Sequence, residues 1–135
     1  MANGIDVVVG FLVVNPEGKV LIVRSHKWSD KYSIPGGHIE AGERAEAAAE
    51  REAMEELGLK IRPVRLLLAQ QTIYPADYYR RQHFVSLDYL CTSESSAIRL
   101  DAKENEEALW LSPRDALKLN LTDYARKFLN TYLSN

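Results

Sequence analysis

Residues 5–14 are apolar at almost every position and rich in valine, with only Asp6 and Gly10 interrupting them. A continuous β-branched run of this length predicts a strand buried on both faces. Asn15-Pro16-Glu17-Gly18 has turn chemistry, and residues 19–24 form a second apolar run. Together they predict a hairpin. Residues 25–31 are polar around Trp28 and predict a loop, closed by the sharp backbone feature Pro35-Gly36-Gly37. Residues 43–57 are rich in Ala, Glu, Arg, Met and Leu, a helix that Gly58 stops. Its apolar stripe, Ala45, Ala48, Ala49, Ala53 and Leu57, is narrow and mostly small. Such a helix lies very close to its neighbour, or its other face serves another purpose.

Two further strands are expected over residues 61–72 and 83–91, joined by a polar and aromatic stretch. Leu109-Trp110-Leu111 predicts a short strand, and Ser112-Pro113 opens a helix as N-cap and first residue. An amphipathic helix follows from about residue 121 to 132. The order β-β-α-β-β-β-α predicts an α/β fold, a mixed sheet sandwiched between helices. With 135 residues and no repeat or linker, one domain spanning 1–135 is expected.

Composition narrows the function. Hydrophobic residues make up 46% and charged residues 27%, enough for a core without disulfides. A net charge of −2 excludes a global basic field for nucleic acid. An anionic ligand therefore needs clustered cations or a bound metal. Cys91 is the only cysteine, so no intrachain disulfide forms, and a cytoplasmic setting is the simplest expectation. The N-terminal apolar run lacks the basic segment of a signal peptide and is too short to span a membrane. A soluble chain, mature from its first residue, is expected.

Glu52, Glu55 and Glu56 stand at i, i+3 and i+4 of the helix, which puts three carboxylates on one face. Arg51 is the only adjacent cation. Oxygen ligands at this density suit Mg²⁺ or Mn²⁺. Taken alone, the three glutamates describe a solvated acidic face equally well. The wider spacing decides: Gly37, Glu43, Arg51, Glu52, Glu55, Glu56 and Gly58 read G-x5-E-x7-R-E-x-x-E-E-x-G, followed by the aliphatic Leu59.

This pattern resembles the Nudix box over residues 37–59, and the flanking strand order resembles the Nudix fold over most of the chain. Two positions depart from it. Ala53 is smaller than the usual aliphatic residue, and Arg44 replaces the usual helix-capping residue. The resemblance implies a hydrolase of nucleoside diphosphate derivatives that uses Mg²⁺, with Mn²⁺ as a substitute. It implies that Glu52, Glu55 and Glu56 bind the metal, with the carbonyl near Gly37 as a further ligand. Glu43 and Arg51 would form an ion pair that orients the carboxylates. Glu104 would supply another metal ligand, with Glu106 and Glu107 as close competitors. Glu55 and Glu104 are the candidate general bases. No side-chain nucleophile is required, so neither Cys91 nor Ser33 is expected to act as one.

The substrate is less legible. Arg24, at the end of the second strand, is placed to reach a phosphate. Trp28 and Tyr32 either stack on a base or cover the core edge. Tyr78, Arg80 and Arg81 belong to a stretch suited either to holding a nucleotide or to forming a dimer surface. Pro75 falls near a proline of ADP-ribose-cleaving relatives. His26, His38 and His83 show no metal-ligand spacing. A start close to the first core strand favours a MutT-like nucleoside triphosphate pyrophosphohydrolase over an ADP-ribose or nucleotide-sugar pyrophosphatase. A catalytically silent nucleotide-binding domain is the reading from another class. The expected partner is a small nucleotide, without nucleic acid or membrane, on a monomer or homodimer.

Overall fold

The computed structural model describes residues 4–135. Seven strands, β1 (Ile5–Val14), β2 (Val20–Arg24), β3 (Tyr32–Ser33), β4 (Gly36–His38), β5 (Arg62–Ile73), β6 (His83–Thr92) and β7 (Glu107–Leu111), form one mixed sheet. Three α-helices accompany them: α1 (Ala45–Leu57), α2 (Pro113–Ala116) and α3 (Asp123–Ser134). The strand order is β3-β2-β1-β6-β5, with β4 also on β1 and β7 also on β2.

The centre is β1, parallel to β6 from Ile5↔His83 to Val14↔Thr92. The hairpin forms only at its turn. Asn15 Oδ1 accepts from the Glu17 and Lys19 amides, yet β1 and β2 pair only at Val14↔Val20. Beyond that point β2 leaves to pair with β7 from Val20↔Leu111 to Arg24↔Glu107. The vacated flank of β1 is taken by β4, Val8↔His38 to Gly10↔Gly36. Neither β3 nor β4 was expected, because a two- or three-residue strand has too few positions to show a period.

Alternation along β1 and β2 builds two cores. Val9, Phe11, Val13, Leu21 and Val23 face α1, where Ala48, Ala49, Ala53 and Leu57 are fully buried. The small stripe thus brings α1 close to the sheet. Leu12, Val20 and Ile22 face the other way, onto Ala116, Ala125, Phe128 and Leu129. The expected sandwich is present. Burial of β1 on both faces holds only over its second half, since Ile5 and Val7 project beyond the helices and are exposed.

Caps behave as their chemistry requires. Ser112 and Thr122 accept from the Asp115 and Ala125 amides, starting α2 and α3. Arg44 gives α1 no side-chain cap, so the helix begins at Ala45, two residues later than expected.

Candidate active site

Between β1, β4, α1 and the loops that follow β2 and β5 lies a cavity of about 240 Å³. Its two ends differ in chemistry. At one end stand Glu52, Glu56, Glu104 and Lys27, and at the other Trp28, Tyr78, Phe84, Thr72, Ser86 and Tyr124.

The acidic end is built on α1. Glu56 is buried, and its Oε2 has no hydrogen-bond partner. Burial first, then the charges of Glu52 and Glu104, push its carboxyl up to about 9. Glu52 is half-buried and also raised by burial, while a bond from Arg51 opposes the shift. Its carboxylate lies against Gly37, where an added Cβ would come within 2.2 Å of Glu52 Cδ. Only glycine leaves room for that approach. Glu104 enters from the segment before β7 and accepts from Lys27 Nζ at 3.0 Å.

Arg51 holds this end in shape. It donates through Nε and Nη2 to Glu43 at 2.8 and 3.0 Å, through Nη1 to Glu52 at 2.9 Å, and through Nη2 to the His38 carbonyl at 3.0 Å. The Arg51 bonds keep the Glu43 carboxyl below the usual range. One guanidinium therefore ties α1 to both the loop before it and β4.

Of the residues singled out from sequence, the fold brings Gly37, Glu52, Glu56, Glu104, Trp28 and Tyr78 to the cavity. Glu55 is not among the lining residues; it is exposed and accepts from Arg51 Nη1 at 3.2 Å. Glu106 and Glu107 turn away to Arg24, so of the three acidic candidates in that segment only Glu104 lines the cavity. Arg24 is held by those two carboxylates at 3.2 Å each and also lies outside the lining. Tyr32 donates to Glu107 Oε1 at 2.7 Å, on the far side of the same cluster. Arg80 and Arg81 lie over the rings of Tyr79 and Tyr74 rather than in the cavity. Cys91 is buried, its thiol pushed up to about 12 by burial, and Ser33 bonds Thr122. Neither is an activated nucleophile.

Several cavity residues escaped the sequence reading. Lys27 sits on a short 3₁₀ turn within the predicted loop. Ser86 is a polar residue at an inward position of β6, a break in alternation that was available as a signal. The histidines sit at hydrogen-bonded places near the surface, His26 on Asp30, His38 on Asp6 and His83 on Gln71. His26, Asp30 and Glu106 converge with ligand atoms within 4.8 Å, but Arg24 Nη1 already sits 3.2 Å from Glu106 and 3.5 Å from Asp30. A guanidinium supplies the positive charge there.

The aromatic end is roofed by a loop-to-loop staple. Tyr79 N donates to the Lys27 carbonyl at 2.8 Å, Ser29 Oγ to the Asp77 carbonyl at 2.8 Å, and Lys31 Nζ to Asp77 Oδ2 at 3.0 Å. Trp28, Tyr78 and Phe84 form one wall, with ring centroids 4.5 to 5.9 Å apart.

Comparison with known proteins gives the family. The NUDIX domain family model matches residues 4–132. The chain belongs to the NUDIX domain family. It is 28% identical over 101 residues to the NAD-capped RNA hydrolase NudC of Photobacterium profundum, covering 73% of this chain and 35% of that protein. It is 29% identical over 109 residues to the phosphatase NudJ of Shigella boydii, covering 78% of this chain and 68% of the relative. A crystal structure of a MutT NUDIX hydrolase from Burkholderia pseudomallei superposes with a TM-score of 0.78 at 28% identity, over 96% of this chain and 98% of that one. The chain spans about a third of the length of the NudC relative. These relatives are hydrolases and a phosphatase, and the expectation of a Nudix pyrophosphohydrolase agrees with them. No helix among the described residues is long and apolar enough to cross a membrane.

Proposed function

We propose that this protein is a Mg²⁺-dependent Nudix hydrolase that cleaves a nucleoside triphosphate to the monophosphate and pyrophosphate. The observation that carries the reading is the buried, unpartnered Oε2 of Glu56, with Glu52 and Glu104 close enough to raise the Glu56 carboxyl further. Carboxylates gathered in this way, with one oxygen orphaned, fit a hard divalent cation, which Mn²⁺ also satisfies. Glu52, Glu56 and Glu104 would hold it, with a backbone oxygen of the Gly37 segment. When bound, the metal supplies charge neutralisation for the phosphates and polarises the bond to be cleaved.

The remaining work belongs to the side chains. Lys27 lines the cavity, where it pairs with Glu104, and would shift to a phosphate oxygen when Glu104 takes the metal; Arg24 lies outside the lining. Arg51 and Glu43 keep Glu52 pointed at the cavity. A water adds to phosphorus, the bond to the leaving pyrophosphate breaks, and the water's proton passes to Glu104, which lines the cavity where Glu55 does not. Trp28, Tyr78 and Phe84 offer the base an apolar wall.

A second reading is a pyrophosphatase acting on a larger nucleoside diphosphate derivative such as ADP-ribose or a nucleotide sugar. It is favoured by the likeness to an NAD-capped RNA hydrolase. The test is product release from a panel of nucleoside triphosphates, oxidised triphosphates, ADP-ribose, nucleotide sugars and dinucleoside polyphosphates, with Mg²⁺ and with chelator. Metal-dependent turnover that Glu56→Gln abolishes, greatest on a triphosphate, is the expected result. Preference for ADP-ribose or a nucleotide sugar favours the second reading. No turnover by a folded protein that still binds nucleotide identifies a silent binding domain.

A further inference from the structure

The floor of the aromatic end is a polar surface on a sheet face that is otherwise apolar. On β6 the side chains facing α3 are Phe84, Ser86, Asp88 and Leu90, at successive even positions. Across the register, Ser86 lies between Val8 and Gln70, and Asp88 between Gly10 and Leu68. The Leu12, Val20 and Ile22 neighbourhood packs on α3 through apolar side chains, and the buried Ser33 and Thr122 hydroxyls beside it are paired with each other. Two polar residues in the central part of the sheet therefore call for an explanation.

Asp88 has one. It is fully buried, and it accepts from Gln70 Nε2 at 3.0 Å through Oδ2 and from the Tyr124 hydroxyl at 3.2 Å through Oδ1. Gln70 also donates to the Tyr124 carbonyl at 3.1 Å, which ties α3 to β5. Gly10 opposite makes room, since an added Cβ would lie 1.9 Å from the Tyr124 hydroxyl. Ser86 has no such account. It is only 2% exposed, its hydroxyl helps lower the Asp88 carboxyl and so turns its proton that way, no donor reaches its Oγ, and it lines the cavity beside Thr72, Phe84 and Tyr124. A buried hydroxyl oxygen that meets no donor costs free energy unless a ligand completes it.

We propose that Ser86 Oγ reads the edge of the substrate's base, and that it selects a base bearing an exocyclic amino group. This rests on the nucleotide reading above. The direction of the bond follows from the surroundings. An ionised Asp88 accepts only, so Tyr124 and Gln70 must donate to it, and its charge draws the Ser86 proton inward along the same face. What remains toward the cavity is a hydroxyl lone pair. That lone pair accepts from the N–H of an amino group and meets only repulsion from a carbonyl oxygen at the same place. Adenine and cytosine carry the amino group, whereas hypoxanthine and uracil carry oxygen there.

The experiment uses matched pairs that differ in that group and in the proton on the adjacent ring nitrogen: ATP against ITP, and CTP against UTP. Metal-free affinity is measured by titration calorimetry, and kcat/KM with Mg²⁺, for the wild type and Ser86→Ala. The wild type is expected to prefer at least one amino member roughly tenfold, the worth of one buried hydrogen bond. Ser86→Ala should bring that ratio near one, with the variant shown to be folded by thermal unfolding. A ratio near one for both pairs in the wild type overturns the proposal and leaves the nucleotide reading standing. So does a preference that survives in Ser86→Ala. If none of the four binds or is hydrolysed, the nucleotide reading itself falls, and this inference with it.

Discussion

The two ends of the cavity meet the problem of buried polarity in opposite ways. At the acidic end, Glu52 and Glu56 stand on one helix and repel each other and Glu104, and one carboxylate oxygen is left without a donor. Lys27 meets Glu104 and Arg51 meets Glu52, but among the described residues no donor reaches Glu56 Oε2, so the set still lacks positive charge at that oxygen. At the aromatic end, the charge of Asp88 is met by donors from two other elements, and only the neutral Ser86 hydroxyl is left over. One end is unfinished by a full charge, the other by a single hydrogen bond. A charge is far more costly to leave unmet than a hydroxyl. On the proposed reading, the acidic end would govern whether the protein acts, and the aromatic end on what.

The largest effect should follow from breaking the acidic end alone. Glu56→Gln removes a full charge from the metal set, and kcat/KM is expected to fall roughly 10³-fold. Metal-free nucleotide affinity, set at the other end, should change less than about twofold, within the scatter of surface substitutions. A matching collapse of nucleotide binding would show that the two ends do not act separately.

Asp88→Asn probes the other end through pH. Burial raises the Asp88 carboxyl from its ordinary value near 3.8 to about 6, so the folded state holds its proton more tightly than the unfolded state. The protonated form is favoured by folding, and that stabilisation is fully present below pH 3.8. It is lost as pH rises through about 6, a change on the order of 3 kcal/mol. The asparagine variant has no such loss. Thermal unfolding between pH 4 and pH 7 should show the wild type losing stability relative to Asp88→Asn, and parallel curves would refute the burial argument.

Arg51→Lys should cost 10- to 100-fold in metal affinity, because lysine cannot bond Glu43, Glu52 and the His38 carbonyl together. The smallest effect separates two cations. Lys27→Ala should raise KM about tenfold with little change in kcat, as loss of one charge-assisted bond predicts. Arg24→Ala should leave KM unchanged, because its guanidinium lies outside the cavity lining, held by Glu106 and Glu107. A larger KM effect at Arg24 would mean that the loop rearranges when substrate enters.

Legibility followed the same division. Glu52 and Glu56 were legible because helix geometry fixes i and i+4 neighbours whatever surrounds them, and Glu43 and Arg51 through the resemblance to the Nudix box. The hairpin was legible at its turn, where Asn15 bonds its own neighbours, but not along its length, because β4 and β7 compete for the same edges. Arg24 illustrates the limit. Its position beside a loop suggested a phosphate contact, and the partners that hold it lie more than eighty residues away. Ser86 and Asp88 were passed over because alternation shows that a polar residue faces inward without showing what it faces.

By itself, then, the sequence determined what depends on local backbone geometry and composition: the acidic helix and its stop, the Ser112 cap of α2, the main strands, and membership in a family with a glutamate-rich box. The tertiary structure decided what depends on register between distant strands. It chose Glu104 over Glu106 and Glu107, put Lys27 rather than Arg24 in the cavity, and set Ser86 over a buried Asp88. Helical neighbours are fixed by hydrogen bonds four residues long, whereas strand partners are fixed only when the burial of the whole sheet has been resolved.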